Sequence, residues 1–360
     1  MEKKQKKEYA KIIVLSILIL LFAISICFTS LISANIKKIL YKADFKVSND
    51  DLVVHYIRVG QGDAIALQLP NNKTMMIDSG PKDSQNVLIT YIKDEVLKST
   101  NELAIDYLIL THPDTDHSGG MSAIFAEFEV KNFFRPNIAS DSEDIGEFAM
   151  KSTLVEYDEV INKSKEEKDL QVNIINIEYE FYIDNILVQI FPPLKVYDTT
   201  NEMSPIIKIT YLGKSFLFTG DIQGESEDDL LNYYKEKLDA DVLKVAHHGS
   251  NTSTSVEFAT MVSPEYAIIC VGSNSYGHPH FTTITTLQNV GAQVLTTEGS
   301  TIRFVCGKEM FVVLEENKTH SFVFVDWWIV GLVIEIVLVI WLIKAIIKVV
   351  KLHKDELKDD

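Results

Sequence analysis

The stretch "THPDTDHSGG" (111–120) places two histidines and two aspartates within six residues, directly after the apolar run "YLIL" (107–110). A short apolar run predicts a buried strand, so the polar residues would stand on a turn at the end of that strand. A helix N-terminus with acidic residues stabilising its dipole would explain Asp116 but neither histidine. Imidazole nitrogens and carboxylate oxygens are ligands of zinc, manganese and iron. We therefore interpret the stretch as one edge of a metal site, whose four ligands suit two adjacent ions better than one.

Three later motifs also place metal-ligand side chains where predicted strands end. They are "FLFTGD" (216–221), which ends in Asp221, "LKVAHHGS" (243–250), which contains His247 and His248, and "SYGHPH" (275–280), which contains His278. Six of the nine histidines thus follow predicted strands, which a random distribution would not produce. We expect the Asp221 carboxylate to bridge two ions.

Short β-branched runs alternate with amphipathic ones between the two ends of the chain. Three strands are predicted near the start, at "LVVHYIRV" (52–59), "AIALQL" (64–69) and "TMMID" (74–78). A helix is expected near 83–98, and the charged segment 141–169 is expected to be a surface insertion or a helix. The pattern predicts two sheets covered by helices, an α/β sandwich.

Two apolar segments, residues 12–34 and 327–343, are candidate transmembrane helices. The first is too long for the apolar core of a cleaved signal peptide, which favours an uncleaved anchor in membrane lipid. Lysines precede the first segment and follow the second. This predicts a cytoplasmic N-terminus (1–11), a cytoplasmic tail (344–360) and a central region outside the cytoplasm.

Glu335 lies in the middle of the second candidate span, where a charge is costly in lipid. It could pair with another membrane helix, or the segment could be a single anchor with Glu335 protonated or reaching the interface. The chain has a formal net charge of −17, and its acidic residues are concentrated between the two spans. Such a region is unsuited to an extended DNA track, which needs basic stripes with stacking aromatics.

The motifs resemble the metallo-β-lactamase superfamily, and most of all the extracytoplasmic hydrolase domain of the ComEC competence proteins. The resemblance rests on five segments in the family's order: "VHYIRVGQGDAIALQLPNNKTMMIDSG" (54–80), "THPDTDHSGG" (111–120), "NEMSPIIKITYLGKSFLFTGD" (201–221), "DVLKVAHHGS" (241–250) and "VGSNSYGHPH" (271–280). It covers residues 50–315. It implies a hydrolase domain with a four-layer αββα metallo-β-lactamase sandwich, here flanked by the two transmembrane helices.

The resemblance also implies a set of metal ligands. It assigns His112 and Asp114 to one ion, Asp116 and His117 to the other, Asp221 to a position between them, and His247 or His248 to the second ion, with His247 favoured. Many members have a further histidine between the first loop and the bridging aspartate. This chain has Asn201 or Ser204 in the corresponding stretch, so we expect the first ion to be held less tightly.

The same resemblance implies catalytic roles for Asp116 and His278. His278 would lie across the cleft, where it could hydrogen-bond to a phosphate oxygen or protonate a leaving group. Asp116 or Asp78 would orient the attacking water or the ligating histidines, although Asp78 could equally cap a turn. Two divalent ions, zinc or manganese, would activate the water and neutralise charge on a phosphoryl group.

Together these expectations predict a membrane-anchored, metal-dependent hydrolase of phosphodiester bonds. Single-stranded DNA is a candidate substrate, so the protein could be a DNA nuclease related to competence proteins. A second interpretation keeps the same site but gives it another phosphoester, in a wall polymer or a lipid headgroup. A third is a non-catalytic membrane accessory protein that retains the fold. Loss of ligand residues would have supported the third, and the ligand residues are present.

Overall fold

The structure, a computed structural model, describes residues 47–98, 100, 102–307 and 310–314, together with the isolated positions Ser16, Lys344 and Ile347. The continuous ranges fall within one compact unit, Asp44–Asn317. The predicted spans, 12–34 and 327–343, and the predicted cytoplasmic ends, 1–11 and 344–360, lie outside the described residues apart from the three isolated positions. Within the described part of the chain, no helix has both the length and the apolar character needed to cross a membrane.

Within these ranges the first sheet has eight strands in the order β17-β16-β1-β2-β3-β4-β5-β8. The strands are β1 (Leu52–Tyr56), β2 (Ile65–Gln68), β3 (Thr74–Ile77), β4 (Ala104–Ile109), β5 (Glu129–Pro136), β8 (Gln171–Ile175), β16 (Ile302–Cys306) and β17 (Met310–Leu314). Pairing is antiparallel from β17 to β3 and parallel from β3 to β8.

The second sheet has seven strands within the same ranges, in the order β15-β14-β13-β12-β11-β10-β9. They are β9 (Tyr179–Ile183), β10 (Ile186–Phe191), β11 (Ile206–Tyr211), β12 (Lys214–Phe218), β13 (Val242–Lys244), β14 (Tyr266–Ile269) and β15 (Gln293–Thr296). Here β9 to β12 are antiparallel and β12 to β15 are parallel.

Helices cover the outer faces of both sheets. On the first sheet lie α1 (Gln85–Tyr91), continued by a π-helical turn (Ile92–Val96), α3 (Met121–Glu127) and α4 (Val155–Glu166), while the short helix α2 (Thr115–Ser118) directly precedes α3. On the second lie α5 (Gly224–Tyr234), α6 (Val256–Val262) and α7 (Phe281–Asn289). Short 3₁₀ turns occur at Pro70–Asn72, Lys82–Ser84, Ile145–Glu147, Asn201–Met203, Lys235–Leu238 and Ala246–Gly249. The four-layer αββα sandwich predicted from the sequence is therefore confirmed.

The strand sequences are apolar on both faces because both faces are covered. In β12, Phe216 and Phe218 pack into the core between the sheets, whereas Leu217 packs under the outer helices. In β11, Ile207 faces the core between the sheets, and Ile206 faces the helices. The result is three apolar layers that hold the two sheets and their helices in a single body.

A small insertion follows β5, and we call residues 137–154 the insertion wall. It contains two short parallel strands, β6 (Ile138–Ala139) and β7 (Met150–Lys151). The predicted segment 141–169 includes residues 141–154 of this wall and then α4, so it contains both a surface insertion and a helix. Buried Arg135 holds the wall through two contacts with the Glu143 carboxylate, at 3.1 and 2.8 Å.

Candidate metal centre

The parallel strands bring their carboxyl ends to one edge of the sandwich. The polar residues that follow β3 and β4 in the first sheet meet those that follow β12, β13 and β14 in the second. In open α/β sheets, this edge is where ligands bind, since the loops after the strands converge there. The motif 111–120 contributes the turn after β4 and the short helix α2.

The first ligand group contains His112, Asp114 and Asp221. His112 Nε2 lies 4.0 Å from an Asp114 carboxylate oxygen and 4.0 Å from an Asp221 carboxylate oxygen. His112 and Asp221 are buried, whereas Asp114 is half-exposed on the cleft side. Two carboxylate oxygens thus approach one imidazole nitrogen, and these are ligand types of divalent-cation sites.

The orientation of the His112 ring is set by its other nitrogen. Nδ1 lies 3.1 Å from Thr111 Oγ1 and 3.3 Å from Ser204 Oγ. Because Thr111 Oγ1 already donates to Asp78, it accepts from His112 Nδ1, which therefore carries the proton. Nε2 is left as a buried acceptor with no hydrogen-bond partner among the described residues. A buried lone pair of this kind fits a metal ligand.

The second ligand group contains Asp116, His117, His248 and Asp221. His248 Nε2 lies 3.1 Å from an Asp116 oxygen, 3.3 Å from His117 Nε2 and 3.4 Å from an Asp221 oxygen. The second Asp221 oxygen lies 3.3 Å from His117 Nε2. Asp221 therefore contacts both groups, as a bridging carboxylate would.

The histidines of the second group are held from behind. His117 Nδ1 donates to Asp78 at 2.8 Å, and His248 Nδ1 donates to the Cys270 carbonyl oxygen at 2.8 Å. Asp78 also accepts from the backbone and hydroxyl of Thr111, at 2.8 and 2.7 Å. Such contacts fix the tautomer and ring plane of metal-binding histidines and leave Nε2 free for the ion. Asp78 thus orients a histidine.

The structure changes the choice between the two adjacent histidines. Both have positive φ, 49° for His247 and 52° for His248, and their side chains leave the chain in different directions. His247 Nδ1 lies 2.8 Å from Gln223 Oε1, and its Nε2 lies 3.4 Å from Asn201 Nδ2. The expectation that favoured His247 is therefore corrected to His248, because His247 lies in the cleft wall outside the convergent ligand atoms.

The segment that lacks the extra family histidine supports the first ligand group instead of joining it. Thr200 Oγ1 donates to Asp114 at 2.7 Å. Ser204 Oγ accepts from the Asp221 backbone amide at 3.2 Å. Gly220 has φ +51°, and a Cβ there would lie 2.8 Å from Ser204 Cβ, so glycine allows this close turn. The first group therefore contains one imidazole, whereas the second contains two.

Sequence reasoning missed two charged residues beneath the ligands, Asp63 and Lys244. They form a buried ion pair. Asp63 lies 3.8 Å from His117 Nδ1 and 3.4 Å from His248 Nδ1, and Lys244 lies 3.5 Å from an Asp221 oxygen. The available signal was a lysine inside the apolar run "VLKVA", since a lysine is almost never fully buried without a partner.

The buried charges shift the titration of the histidines. Burial and the neighbouring His117 ring lower the pKa of His112, which stays neutral and ready to bind a cation. Burial alone would also lower the pKa of His117 and His248. The surrounding carboxylates, above all Asp221, outweigh it and raise both pKa values well above the usual range. Burial by itself would raise the pKa of Asp116, but the neighbouring His248 and His117 rings lower it below its usual value.

The ligand groups form the floor of an open cleft of about 900 Å³. His278 lies in its wall, with its ring 5.4 Å from the His247 ring. His278 Nδ1 is buried and has no hydrogen-bond partner among the described residues. Burial and the His247 ring lower the pKa of His278, so the ring is neutral near pH 7.

The donor set fits two divalent ions. It combines three imidazoles with carboxylates, leaves buried His112 Nε2 without a hydrogen-bond partner among the described residues, and offers the Asp221 carboxylate to His112, His117 and His248. Mixed nitrogen and oxygen ligands of this kind suit zinc and manganese.

The fold and the site define a protein of the αββα sandwich class with a candidate metal centre at the carboxyl ends of its parallel strands. The chain belongs to the metallo-β-lactamase superfamily, whose family model matches residues 57–273.

Its relatives include competence proteins. It is 29% identical over 266 residues to ComE operon protein 3 of Bacillus subtilis, covering 68% of this chain and 32% of that protein. It is 25% identical over 234 residues to competence protein ComA of Neisseria gonorrhoeae, covering 65% of this chain and 29% of that protein. The chain thus spans about a third of the length of these relatives.

Among solved structures, the metallo-beta-lactamase fold protein YhfI from Bacillus subtilis is similar, with a TM-score of 0.45 and 12% identity. The match covers 71% of this chain and 100% of that chain.

Proposed function

We propose that this protein is a membrane-anchored phosphodiesterase with two divalent ions, zinc or manganese, that cleaves nucleic acid outside the cytoplasm. One observation carries the proposal: the two ligand groups share Asp221, whose two oxygens face His112 and His117 at 4.0 and 3.3 Å. Paired ions in such a site serve phosphoester hydrolysis in many enzymes, because they clamp the attacking and leaving oxygens.

His112, Asp114 and Asp221 would hold one ion, and Asp116, His117, His248 and Asp221 the other. Ions bound there would supply activation of water and neutralisation of charge on the phosphoryl group. The protein's own part is to keep the ligands in place. Asp78 and the Cys270 carbonyl hold two imidazoles by Nδ1, and Thr200 holds the Asp114 carboxylate.

His278 would bind the substrate. Because its pKa is lowered, the ring is neutral near pH 7 and its N–H can hydrogen-bond to a phosphate oxygen. A neutral imidazole is a weak acid, so this role is favoured over protonation of the leaving group. His278 is thus proposed to position the phosphodiester above the ligand groups.

The proposal of nucleic acid is supported by the kinship with competence proteins and by the open cleft of about 900 Å³. The acidic surface of the chain makes an extended DNA track unfavourable. A substrate held only near the two cations, as the end or a short stretch of a single strand would be, avoids that repulsion.

The test uses the full chain in detergent, loaded with zinc or manganese. We expect about two ions per chain and hydrolysis of both single-stranded DNA and a generic phosphodiester. Asp221→Asn should abolish activity and reduce metal content, whereas Glu166→Gln, in an exposed pair on α4, should change neither. Full metal occupancy without hydrolysis of any phosphodiester would contradict the proposal. Hydrolysis of wall-polymer or lipid headgroup esters only would instead support the second interpretation, in which the same site acts on another phosphoester.

The membrane anchor, with its lipid contacts and a helix partner at Glu335, is part of the same proposal. It rests on the apolar segments 12–34 and 327–343 and on the flanking lysines. Tyr182 is 68% exposed on β9, so Tyr182→Cys offers a site for labelling. The substitution is made in a Cys27→Ser variant, in which the remaining cysteines, Cys270 and Cys306, are buried and should not react. A membrane-impermeant maleimide should label intact cells. Labelling only after permeabilisation would overturn the proposed topology.

A further inference from the structure

One wall of the cleft carries an exposed aromatic residue, Tyr276. It is 74% exposed and lines the cleft. Its ring lies 5.8 Å from the His278 ring, which in turn lies 5.4 Å from the His247 ring. A row of three rings therefore runs from exposed Tyr276 through His278 to His247, and all three line the cleft.

The loop that presents Tyr276 is held rigidly by one side chain, Asn274. Its Oδ1 accepts from the backbone amides of Tyr276 and His278 at 3.0 and 3.1 Å. Its Nδ2 donates to the carbonyl oxygens of Gly272 and His278 at 2.9 and 2.8 Å. A ring on a fixed loop loses little conformational freedom when a ligand packs on it. Tyr276 is therefore preorganised to contact a flat group.

The remaining walls are mostly polar and uncharged. Side chains that can donate or accept hydrogen bonds include Gln61, Ser152, Thr153, Thr200, Asn201, Ser273 and Ser275. Among the described residues that line the cleft, Tyr276 is the one tyrosine, phenylalanine or tryptophan. A nucleobase combines a π face with an edge of donors and acceptors, which matches this lining. A polyol or acyl chain has no π face to place on the ring.

The insertion wall contributes a cation. Lys151, at the end of β7, is the one lysine or arginine among the described residues that line the cleft. Its Nζ contacts the Asp141 carboxylate at 3.3 Å and donates to the Asp141 carbonyl oxygen at 3.0 Å, and that aspartate side chain is 66% exposed. An exposed pair of this kind contributes little, so a phosphate can replace Asp141 at low cost.

We propose that Tyr276 stacks on a nucleobase beside the scissile phosphodiester while Lys151 pairs with a neighbouring phosphate. Tyr276 and Lys151 thus select single-stranded nucleic acid over other phosphodiesters. This inference rests on the proposed function and assigns the residues that recognise its substrate. Stacking suits a single strand, since the bases of a duplex are already stacked on one another.

The first experiment measures cleavage by the metal-loaded full chain of a short single-stranded oligodeoxynucleotide and of the same strand with abasic sites. Tyr276→Ala should raise KM for the normal strand about 10-fold, the loss expected for one stacking aromatic, with kcat little changed. Tyr276→Phe should retain the wild-type KM. On the abasic strand, wild type and Tyr276→Ala should be equal. Tyr182→Ala, an exposed tyrosine outside the cleft lining, is the matched control and should change nothing.

Two readouts do not depend on turnover. A slowly cleaved phosphorothioate strand with a single 2-aminopurine should lose fluorescence on binding wild type and Tyr276→Phe, but not Tyr276→Ala. Lys151→Met should lower the slope of log affinity against log salt by about 0.7, the value for one phosphate contact on a single strand. Lys163→Met, on the exposed face of α4, should leave that slope unchanged.

The outcomes separate this inference from the proposed function. Failure of wild type to bind or cleave any oligonucleotide would refute nucleic acid as the substrate and this inference with it. Cleavage by wild type with an unchanged KM in Tyr276→Ala and no fluorescence difference would overturn the stacking role alone. A loss in Tyr276→Ala seen with a polyol-phosphate polymer, but not with DNA, would assign the ring to that substrate and overturn the inference.

Discussion

The Asp63 carboxylate and the Lys244 ammonium form an ion pair inside the protein, directly beneath the metal ligands. Lys244 also donates to the Gly220 carbonyl oxygen at 2.8 Å and lies 3.5 Å from Asp221. Burial would raise the pKa of Asp63, but Lys244 and the nearby His117 hold it below its usual value. The bond to Gly220 therefore ties the end of β12 to β13, and the ion pair joins the two sheets and gives the buried carboxylates a counter-charge.

Lys244→Met should destabilise the fold and weaken metal binding. It leaves Asp63 as a buried carboxylate without its ammonium, a change that typically costs about 3–5 kcal/mol. Loss of a group that positions metal ligands typically lowers metal affinity by about 10- to 100-fold. Urea unfolding of the metal-free chain and calorimetric titration with zinc measure the two effects.

The matching double variant, Asp63→Leu with Lys244→Met, removes both charges and should unfold at higher urea than Lys244→Met alone. Lys163→Met, in an exposed pair, should stay within about 0.5 kcal/mol of wild type. Wild-type stability in Lys244→Met would show that the ion pair does not support the site.

His248→Ala and His247→Ala should differ in metal content, although the two residues are adjacent in sequence. His248 Nε2 faces Asp116 and His117, whereas His247 contacts Gln223 and Asn201. We expect His248→Ala to bind about one ion fewer per chain, and His247→Ala to keep the wild-type content. Inductively coupled plasma mass spectrometry after dialysis gives the comparison. The reverse pattern would restore His247 as the ligand.

Metal binding should release protons and strengthen as pH rises. In the metal-free protein, Asp221 and neighbouring carboxylates outweigh burial and raise the pKa of His117 and His248. Their protonation stabilises the metal-free fold below the unfolded pKa of about 6.5, and that stability is lost as pH rises through the folded values. A cation must displace these protons. Calorimetry in buffers of different ionisation enthalpy should detect release of at least one proton near pH 7. If the measured binding enthalpy is the same in all buffers, no proton is released, and this result would contradict the assignment of His117 and His248 as metal ligands.

His55 should make the fold sensitive to acid independently of metal. Burial lowers the pKa of His55 from 6.5 to about 3. Because the folded pKa is depressed, the unfolded chain binds more protons below pH 6.5, and stability falls as pH drops from there towards 3. At pH ~4.5 the lowered pKa of His55 should reduce the free energy of unfolding by about 2–3 kcal/mol. His55→Gln should flatten that part of the pH profile in urea unfolding. If the free energy of unfolding of His55→Gln falls with pH as steeply as that of wild type, His55 does not cause the acid sensitivity.

The sequence predicted the elements well wherever both faces of a strand are buried. The runs at 52–59, 64–69 and 74–78 correspond to β1, β2 and β3, each shorter than its run because the run continues into a turn. The segment 141–169 was predicted less well. Its small sheet depends on contacts between Arg135 and Glu143, and charge composition alone does not reveal them.

The candidate ligands were found because their residue types are rare after strands, but their individual contacts were not. His247 and His248 are equivalent in sequence. Only the two successive left-handed backbone conformations send one ring to Asp116 and the other to Gln223. Asp63 was missed although it lies in the quoted segment 54–80, because only the packing of the two sheets places it beside Lys244.

The sequence by itself determined the sandwich and the residue types of the candidate metal centre, because apolar periodicity sets the layers and clustered histidines and aspartates set the ligand atoms. The tertiary structure decided which atoms converge. It selects His248 over His247, assigns Asp78 to His117, replaces the missing histidine with Thr200 and Ser204 as supports, and places Asp63 and Lys244 below the site. The physical reason is that these contacts join strand ends from two sheets, and their distances depend on packing between residues far apart in the chain.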